Sequence, residues 1–319
     1  MSVDFLDLVD LASERLGAAA IEANDEFFAP KDNLVKAEPP IWIEGKYTQR
    51  GKWVDGWETR RRREAGYDWC VVRLGVAGII RGIDVETTYF RGNYPEACAL
   101  DVGDGSQWCE VLARTRLKGD AHNVMGIASA PRATHVRLRI FPDGGVARLR
   151  VYGDVVTDWD RLRRRGDVDL AAVEHGGLVV GCSDMFFGSR HNLIMPGDAT
   201  HMGDGWKTKR RRGPGHDWTV IRLGARGVIR RIVVDTRHFK GNAPGWCSVE
   251  GTAAAVGLES DATYGEADWR EILPRTALQP HARQEFEDEV QPIGNITHAR
   301  FNIFPDGGVG RLRLFGRPA

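Results

Sequence analysis

Asp55-Gly56-Trp57-Glu58-Thr59-Arg60-Arg61-Arg62 returns later in the chain as Asp204-Gly205-Trp206-Lys207-Thr208-Lys209-Arg210-Arg211. Phe141-Pro142-Asp143-Gly144-Gly145-Val146 likewise returns as Phe304-Pro305-Asp306-Gly307-Gly308-Val309. Two motifs repeated in the same order mark a tandem duplication. Each copy has the size of an ordinary domain, far beyond the roughly 20–50-residue period of solenoids and propellers, so each is expected to close its own core. The boundaries read as 1–153 for the first repeat, 154–168 for a charged linker that matches neither copy, and 169–319 for the second repeat.

Outward from these motifs the copies stay in step except at two places. Between Leu34 and Asp55 the first copy carries about ten additional residues, most simply Pro39 through Tyr47, and an insertion of that size is tolerated in a surface loop and seldom inside a strand. A second length difference, this time in the second copy, precedes Glu271, the counterpart of Glu110. Both places are read as loops.

The regular segments have period two. Asp68-Trp69-Cys70-Val71-Val72-Arg73-Leu74 and Asp217-Trp218-Thr219-Val220-Ile221-Arg222-Leu223 are β-branched and aromatic runs ended by glycine, the profile of a buried strand. His135 to Ile140 alternates polar with apolar, turns at Pro142-Asp143-Gly144-Gly145, and resumes alternation from Val146 to Tyr152. Asp-Gly between alternating runs predicts a hairpin, and the pattern recurs at Asp306-Gly307. Many short strands joined by Gly- and Pro-rich turns predict an all-β protein of two tandem jelly-roll β-sandwich repeats, with one short helix within the first twenty residues.

With 44 basic and 44 acidic residues the net charge is zero, which gives no field for holding nucleic acid or an anionic membrane. No apolar run approaches the roughly 18 residues that span a bilayer, and the amino terminus lacks a basic segment followed by an apolar one. The five cysteines are odd in number and Cys70 aligns with Thr219, so no disulfide scheme respects the duplication. A cytoplasmic protein is expected. Trp42 and Trp246, in variable regions and without evident partners, suggest packing between subunits of a homo-oligomer.

The doubled pattern Asp-Gly-Trp-Glu/Lys-Thr-Arg/Lys-Arg-Arg, then Asp-Trp, Arg-Leu-Gly, Phe-Arg/Lys-Gly-Asn and Phe-Pro-Asp-Gly-Gly-Val-x-Arg-Leu-Arg, closely resembles the allantoicase family over nearly the whole chain. The resemblance implies galactose-binding-like jelly rolls and a hydrolase that converts allantoate and water to ureidoglycolate and urea, a step of purine breakdown downstream of allantoin. Such a reaction needs a cation for the substrate carboxylate, amide-type partners for the two ureido groups, and either an acid–base pair or a divalent ion such as manganese to activate water. The sequence itself demands no cofactor.

Arg60 and Arg62, with Lys209 and Arg211 as their copies, are candidates for the carboxylate, against the plainer reading of a solvated strand edge. In an extended chain Glu58, Arg60 and Arg62 share one face while Trp57, Thr59 and Arg61 share the other. Arg91 and Asn93, and in the second copy Lys240 and Asn242, pair a cation with a carboxamide across a glycine and suit a urea-like ligand, or simply form a turn. Asp55 and Asp204 are candidates for the general base or for a metal ligand, against the plainer reading of an Asp-Gly turn former, with Glu58 and His216 as further catalytic candidates. His201, Asp204 and His238 are the candidate metal set, although no tight His-x-His or His-x-x-x-His spacing supports it. Glu86 and Asp235 are plausible acids or, equally, carboxylates that hold a loop; Arg148 and Arg311 either reach the site or sit on strands that expose arginine; and the Trp57, Trp69, Trp206 and Trp218 rings are assigned to core packing ahead of stacking on a planar ureido group. Because Glu58 becomes Lys207, one copy is able to bind substrate while the other serves as structure. The competing reading is a non-catalytic jelly-roll module for a small polar ligand or carbohydrate, which would show aromatic platforms with few fixed charges.

Overall fold

The computed structural model describes residues 5–253 and 267–319, and these divide into two compact units at the bond between Val156 and Thr157. The second length difference seen in the sequence lies outside the described residues.

The first unit is organised by one 19-residue strand, Asp68–Glu86. Through Arg73 this strand lies between Ala19–Ala23 and Arg132–Phe141, and from Gly82 it lies between Arg148–Val155 and His122–Gly126. One strand therefore serves both layers of a sandwich. Ala97–Gly103 and Trp108–Arg116 extend the first layer, and Val9–Asp10 extends the second. The strand changes layers around Gly75, where a β-carbon would lie 2.5 Å from the Leu16 carbonyl oxygen, so only glycine lets it pass the turn at Glu14–Leu16. Alternation sends Val136, Leu138 and Ile140 into the core with Val72, Ile83 and Val85, while Arg137 and Arg139 reach out to Asp101.

The second unit repeats this plan. Asp217–Asp235 pairs first with Leu178–Cys182 and Ile296–Phe304, then with Arg311–Pro318 and Arg283–Phe286. Trp246–Thr252 and Arg270–Ala277 complete its first layer. Both units are all-β sandwiches, and among the described residues the single α-helix is Trp159–Arg163. The helix expected near the amino terminus is replaced by short 3-10 turns at Phe5–Asp7 and Glu14–Leu16. Among the described residues no helix is long and apolar enough to cross a membrane.

One local expectation is corrected. The runs either side of Pro142-Asp143-Gly144-Gly145 do not pair as a hairpin. They flank opposite halves of Asp68–Glu86, and the turn carries the chain from one layer to the other, with Gly145–Val146 pairing Trp57–Glu58 on the way. Alternation reports which face of a strand is buried and not which strand lies beside it. The 154–168 stretch begins with the last two residues of Arg148–Val155, contains the helix, and ends on Val168, which pairs with Gly316.

Candidate active site

Trp57–Glu58 is a two-residue strand caught between neighbours, and this fixes Glu58. Its backbone pairs with Ala29 on one side and Gly145 on the other. Trp57 is fully buried, with its indole N–H donating to the Asp25 carbonyl at 2.8 Å, so the next side chain must face outward. Glu58 enters a cleft of about 620 Å³ lined by Phe28, Trp42, Glu44, Lys52, Val54, Tyr89, Arg91, Gly92 and Asn93. A cleft of this size accommodates a small polar anion with room for water.

Asn93 Nδ2 donates to Glu58 Oε1 at 2.7 Å. Burial pushes the Glu58 carboxyl above its ordinary range, and the Asn93 amide offsets this only in part by favouring the ionised form. A half-buried carboxylate with a raised proton affinity and one neutral donor is suited to moving a proton. Arg91 is exposed at the mouth, its Nε donating to Asp120 Oδ2 at 3.0 Å. Trp42, from the loop that only the first copy has, also lines the cleft. Its indole donates to Glu44 at 2.8 Å, its ring lies 5.9 Å from that of Tyr89, and the Lys52 ammonium sits 4.3 Å from its centre. Trp42 is thus a wall of the cleft, a role its sequence position does not suggest.

Of the sequence candidates, Glu58, Arg91 and Asn93 come together and the others do not. Arg60 donates to Asp25 at 2.7 Å and stacks over Phe27, while Arg62 donates to the buried Asp68 at 2.7 Å. In the second unit Lys209 pairs with Asp184 and Arg211 with Asp217. These cations close loops onto the sandwich. Asp55, proposed as a general base, is buried behind the cleft: Arg148 Nη2 reaches its Oδ2 at 2.8 Å, the Ile41 N–H donates to the same oxygen, and Lys36 approaches Oδ1. Its burial would raise the pKa, but these donors and charges outweigh it and hold the carboxyl low, which makes it a poor base. Asp204 is likewise tied up by hydrogen bonds, accepting from Arg311 Nη2 at 3.0 Å and from the Thr200 N–H at 3.1 Å. Arg148 and Arg311, expected on an exposed face, are 1 % and 3 % exposed because the loops before Asp55 and Asp204 fold over them.

The histidines of the second unit serve locally. His216 stacks on Phe304 at 4.6 Å and touches Asn302, the place Tyr67 takes against Phe141 in the first unit. His201 accepts the Gly203 N–H, and His238 Nε2 meets the Ala199 carbonyl. Among the described residues no three His, Cys, Asp or Glu side chains are grouped to hold a metal, so His201, Asp204 and His238 do not form the set proposed for them. At the position of Glu58 stands Lys207, 5.0 Å above the Phe187 ring, and Asn242 turns to Met202 Sδ at 3.7 Å. Glu86 and Asp235 also stay local, Glu86 accepting from Thr88 and lying beside His122, Asp235 pairing with Arg237.

The allantoicase repeat model matches residues 9–156 and 168–319. The chain belongs to the allantoicase family. It is 47% identical to a probable allantoicase from Photobacterium profundum, over 99% of this chain and 98% of that protein, and 46% identical to probable allantoicase 1 of Burkholderia mallei, over 97% and 94%. The crystal structure of allantoicase from Saccharomyces cerevisiae superposes with a TM-score of 0.83 at 33% identity, covering 97% of this chain and 92% of the other. The family therefore accounts for both units and their order.

Proposed function

We propose that the first-repeat cleft is the site at which this allantoicase-family hydrolase converts allantoate and water to ureidoglycolate and urea in purine degradation. Arg91 takes the substrate carboxylate, with Lys52, which lines the same cleft, adding positive charge. Asn93 offers its carboxamide to a ureido group, and Trp42 and Tyr89 give the planar ureido faces apolar walls. Glu58 accepts a proton from water as its oxygen bonds to the central carbon, then delivers it to the nitrogen of the departing urea, so that one C–O bond forms and one C–N bond breaks. The observation that carries this reading is the Glu58–Asn93 pair, held by fixed backbone inside the cleft and replaced in the second repeat by Lys207 and a redirected Asn242.

The free thiols of Cys70, Cys98, Cys109 and Cys247 support residence in the cytoplasm, and the exposed Met185, Phe186, Phe187, Met202 and Trp246 support a homo-oligomer. Urea release from allantoate tests the site. Glu58→Gln is expected to lower kcat by about 10²–10⁴-fold, the usual worth of a positioned proton carrier. Lys207→Ala, at the matching place in the second repeat, is expected to leave it within about twofold. Comparable losses in both variants would remove the assignment.

A further inference from the structure

We propose that Asp120, which lies outside the cleft, is a positioning residue that holds two of its walls at once, an inference that rests on the first-repeat cleft being the active site. One carboxylate oxygen, Oδ1, accepts the Tyr89 backbone N–H at 2.8 Å, and the other, Oδ2, accepts from Arg91 Nε at 3.0 Å. A single side chain therefore ties the backbone under an aromatic wall to the guanidinium assigned to the substrate carboxylate.

The two bonds have different standing, and the second repeat separates them. Tyr89 has φ 70° and Asp120 φ 49°, left-handed conformations that residues with a β-carbon adopt at a cost. Their counterparts His238 and His281 have φ 73° and 53°, and there His281 Nδ1 accepts the His238 N–H at 2.9 Å. Asp120 and His281 also donate their own N–H groups to matching carbonyls, of Phe90 and Phe239, at 3.0 Å. The strained turn and its backbone bond thus belong to the shared framework, and an imidazole nitrogen suffices for them. An imidazole gives no carboxylate for a cation, and Lys240, the counterpart of Arg91, is paired with no carboxylate among the described residues. The ion pair to Arg91 is particular to the repeat with the cleft.

The pair has a physical purpose. Arg91 rises from an exposed turn beside Gly92, its side chain 80% exposed, and an arginine so placed would spread over many rotamers. Engaging Nε fixes the plane of the guanidinium and leaves the far edge of the fork directed to a bidentate partner. Binding then avoids much of the ordering cost that substrate would otherwise meet.

The second repeat supplies the informative variant. Asp120→His keeps an acceptor for the Tyr89 N–H and removes the counter-charge of Arg91, as Asp120→Asn does more conservatively. Both are expected to raise KM for allantoate about tenfold with kcat nearly unchanged, the signature of lost uniform binding. Asp120→Ala, which also frees the Tyr89 turn, is expected to lower kcat as well. In a double-mutant cycle with Arg91→Ala, Asp120→Asn is expected to add no further increase in KM, showing that it acts through Arg91. If Arg91→Ala raises KM and Asp120→His and Asp120→Asn do not, the positioning role is wrong and the cleft assignment stands. If Arg91→Ala and Glu58→Gln both leave the kinetics unchanged, the cleft assignment itself has failed.

Discussion

The same topological position is a walled, acid-bearing cleft in the first repeat and a lysine-capped aromatic surface in the second. Around it, interaction after interaction is preserved. Trp57 and Trp206 donate to the carbonyls of Asp25 and Asp184 at 2.8 Å, Thr59 and Thr208 bond the Gly144 and Gly307 backbone, and Arg62 and Arg211 pair with Asp68 and Asp217. Asp55–Arg148 and Asp204–Arg311 are the same buried pair. A contact made identically by the repeat in which Glu58 faces the cleft and by the repeat that carries Lys207 in its place is explained by folding. What differs is Glu58, the Trp42 loop, and the partner of residue 91 or 240, and chemistry is to be sought there. The duplication thus supplies an internal control for separating framework from function.

The largest expected effect on stability follows from the shared pairs. Asp55→Asn leaves the Arg148 guanidinium buried without its counter-charge, which costs about 3–5 kcal/mol, and Asp204→Asn is expected to cost a similar amount in the second unit. Denaturant unfolding of each variant measures this. If Asp55→Asn unfolds like the parent yet abolishes urea release, Asp55 belongs to the chemistry and the control drawn from the second repeat has misled.

A smaller effect distinguishes the repeats by pH. His298 is buried and its pKa is pushed down to about 4, first by burial and then by Arg222, whereas its counterpart His135 is half-exposed and also lowered by burial and Arg73. Between pH 6.5 and 4 an unfolded chain binds a proton at residue 298 that the folded chain refuses. Stability is therefore present at neutral pH and lost as the pH falls through that window, by up to about 3 kcal/mol. The second unit is expected to show the steeper loss. His298→Gln should flatten the dependence of its unfolding between pH 7 and 5, and an unchanged slope would place the sensitivity elsewhere.

Much of the fold was legible because it rests on local signals: the doubled motifs mark the repeats, and alternation from Val136 to Ile140 marks a strand with one face in the core. The path of the turn at Asp143 was not legible, since pairing is decided by the long strand Asp68–Glu86, which both neighbours share. Within the site, Glu58, Arg91 and Asn93 stood out as polar groups in repeated motifs. Trp42, Lys52 and Tyr89 did not, because their role arises only when the loop unique to the first copy folds back over the cleft. Arg148 was misjudged for the same reason: alternation gave its face correctly, and the loop at Glu38 that covers that face is more than a hundred residues away. The absence of an equivalent loop in the second copy was the available signal, since a length difference beside an otherwise faithful repeat marks where the two copies part.

The finest test of the contrast concerns Asn93, present in both copies as Asn93 and Asn242 but facing a carboxylate in only one. Burial raises the Glu58 pKa and the Asn93 hydrogen bond lowers it, so the acid limb of kcat/KM, which reports the free enzyme, should lie above the ordinary carboxylate range. With Glu58 acting first as a base, the rate falls as pH drops through that value. Asn93→Ala removes the donor that favours the ionised form and leaves the desolvation in place, so the limb must move to higher pH. Asn242→Ala, whose amide meets Met202 and no carboxylate among the described residues, must leave it where it was. A limb that stays fixed in Asn93→Ala would mean that the titrating group is not Glu58, even if Glu58→Gln is inactive, and the proton would have to be traced to another group lining the same cleft.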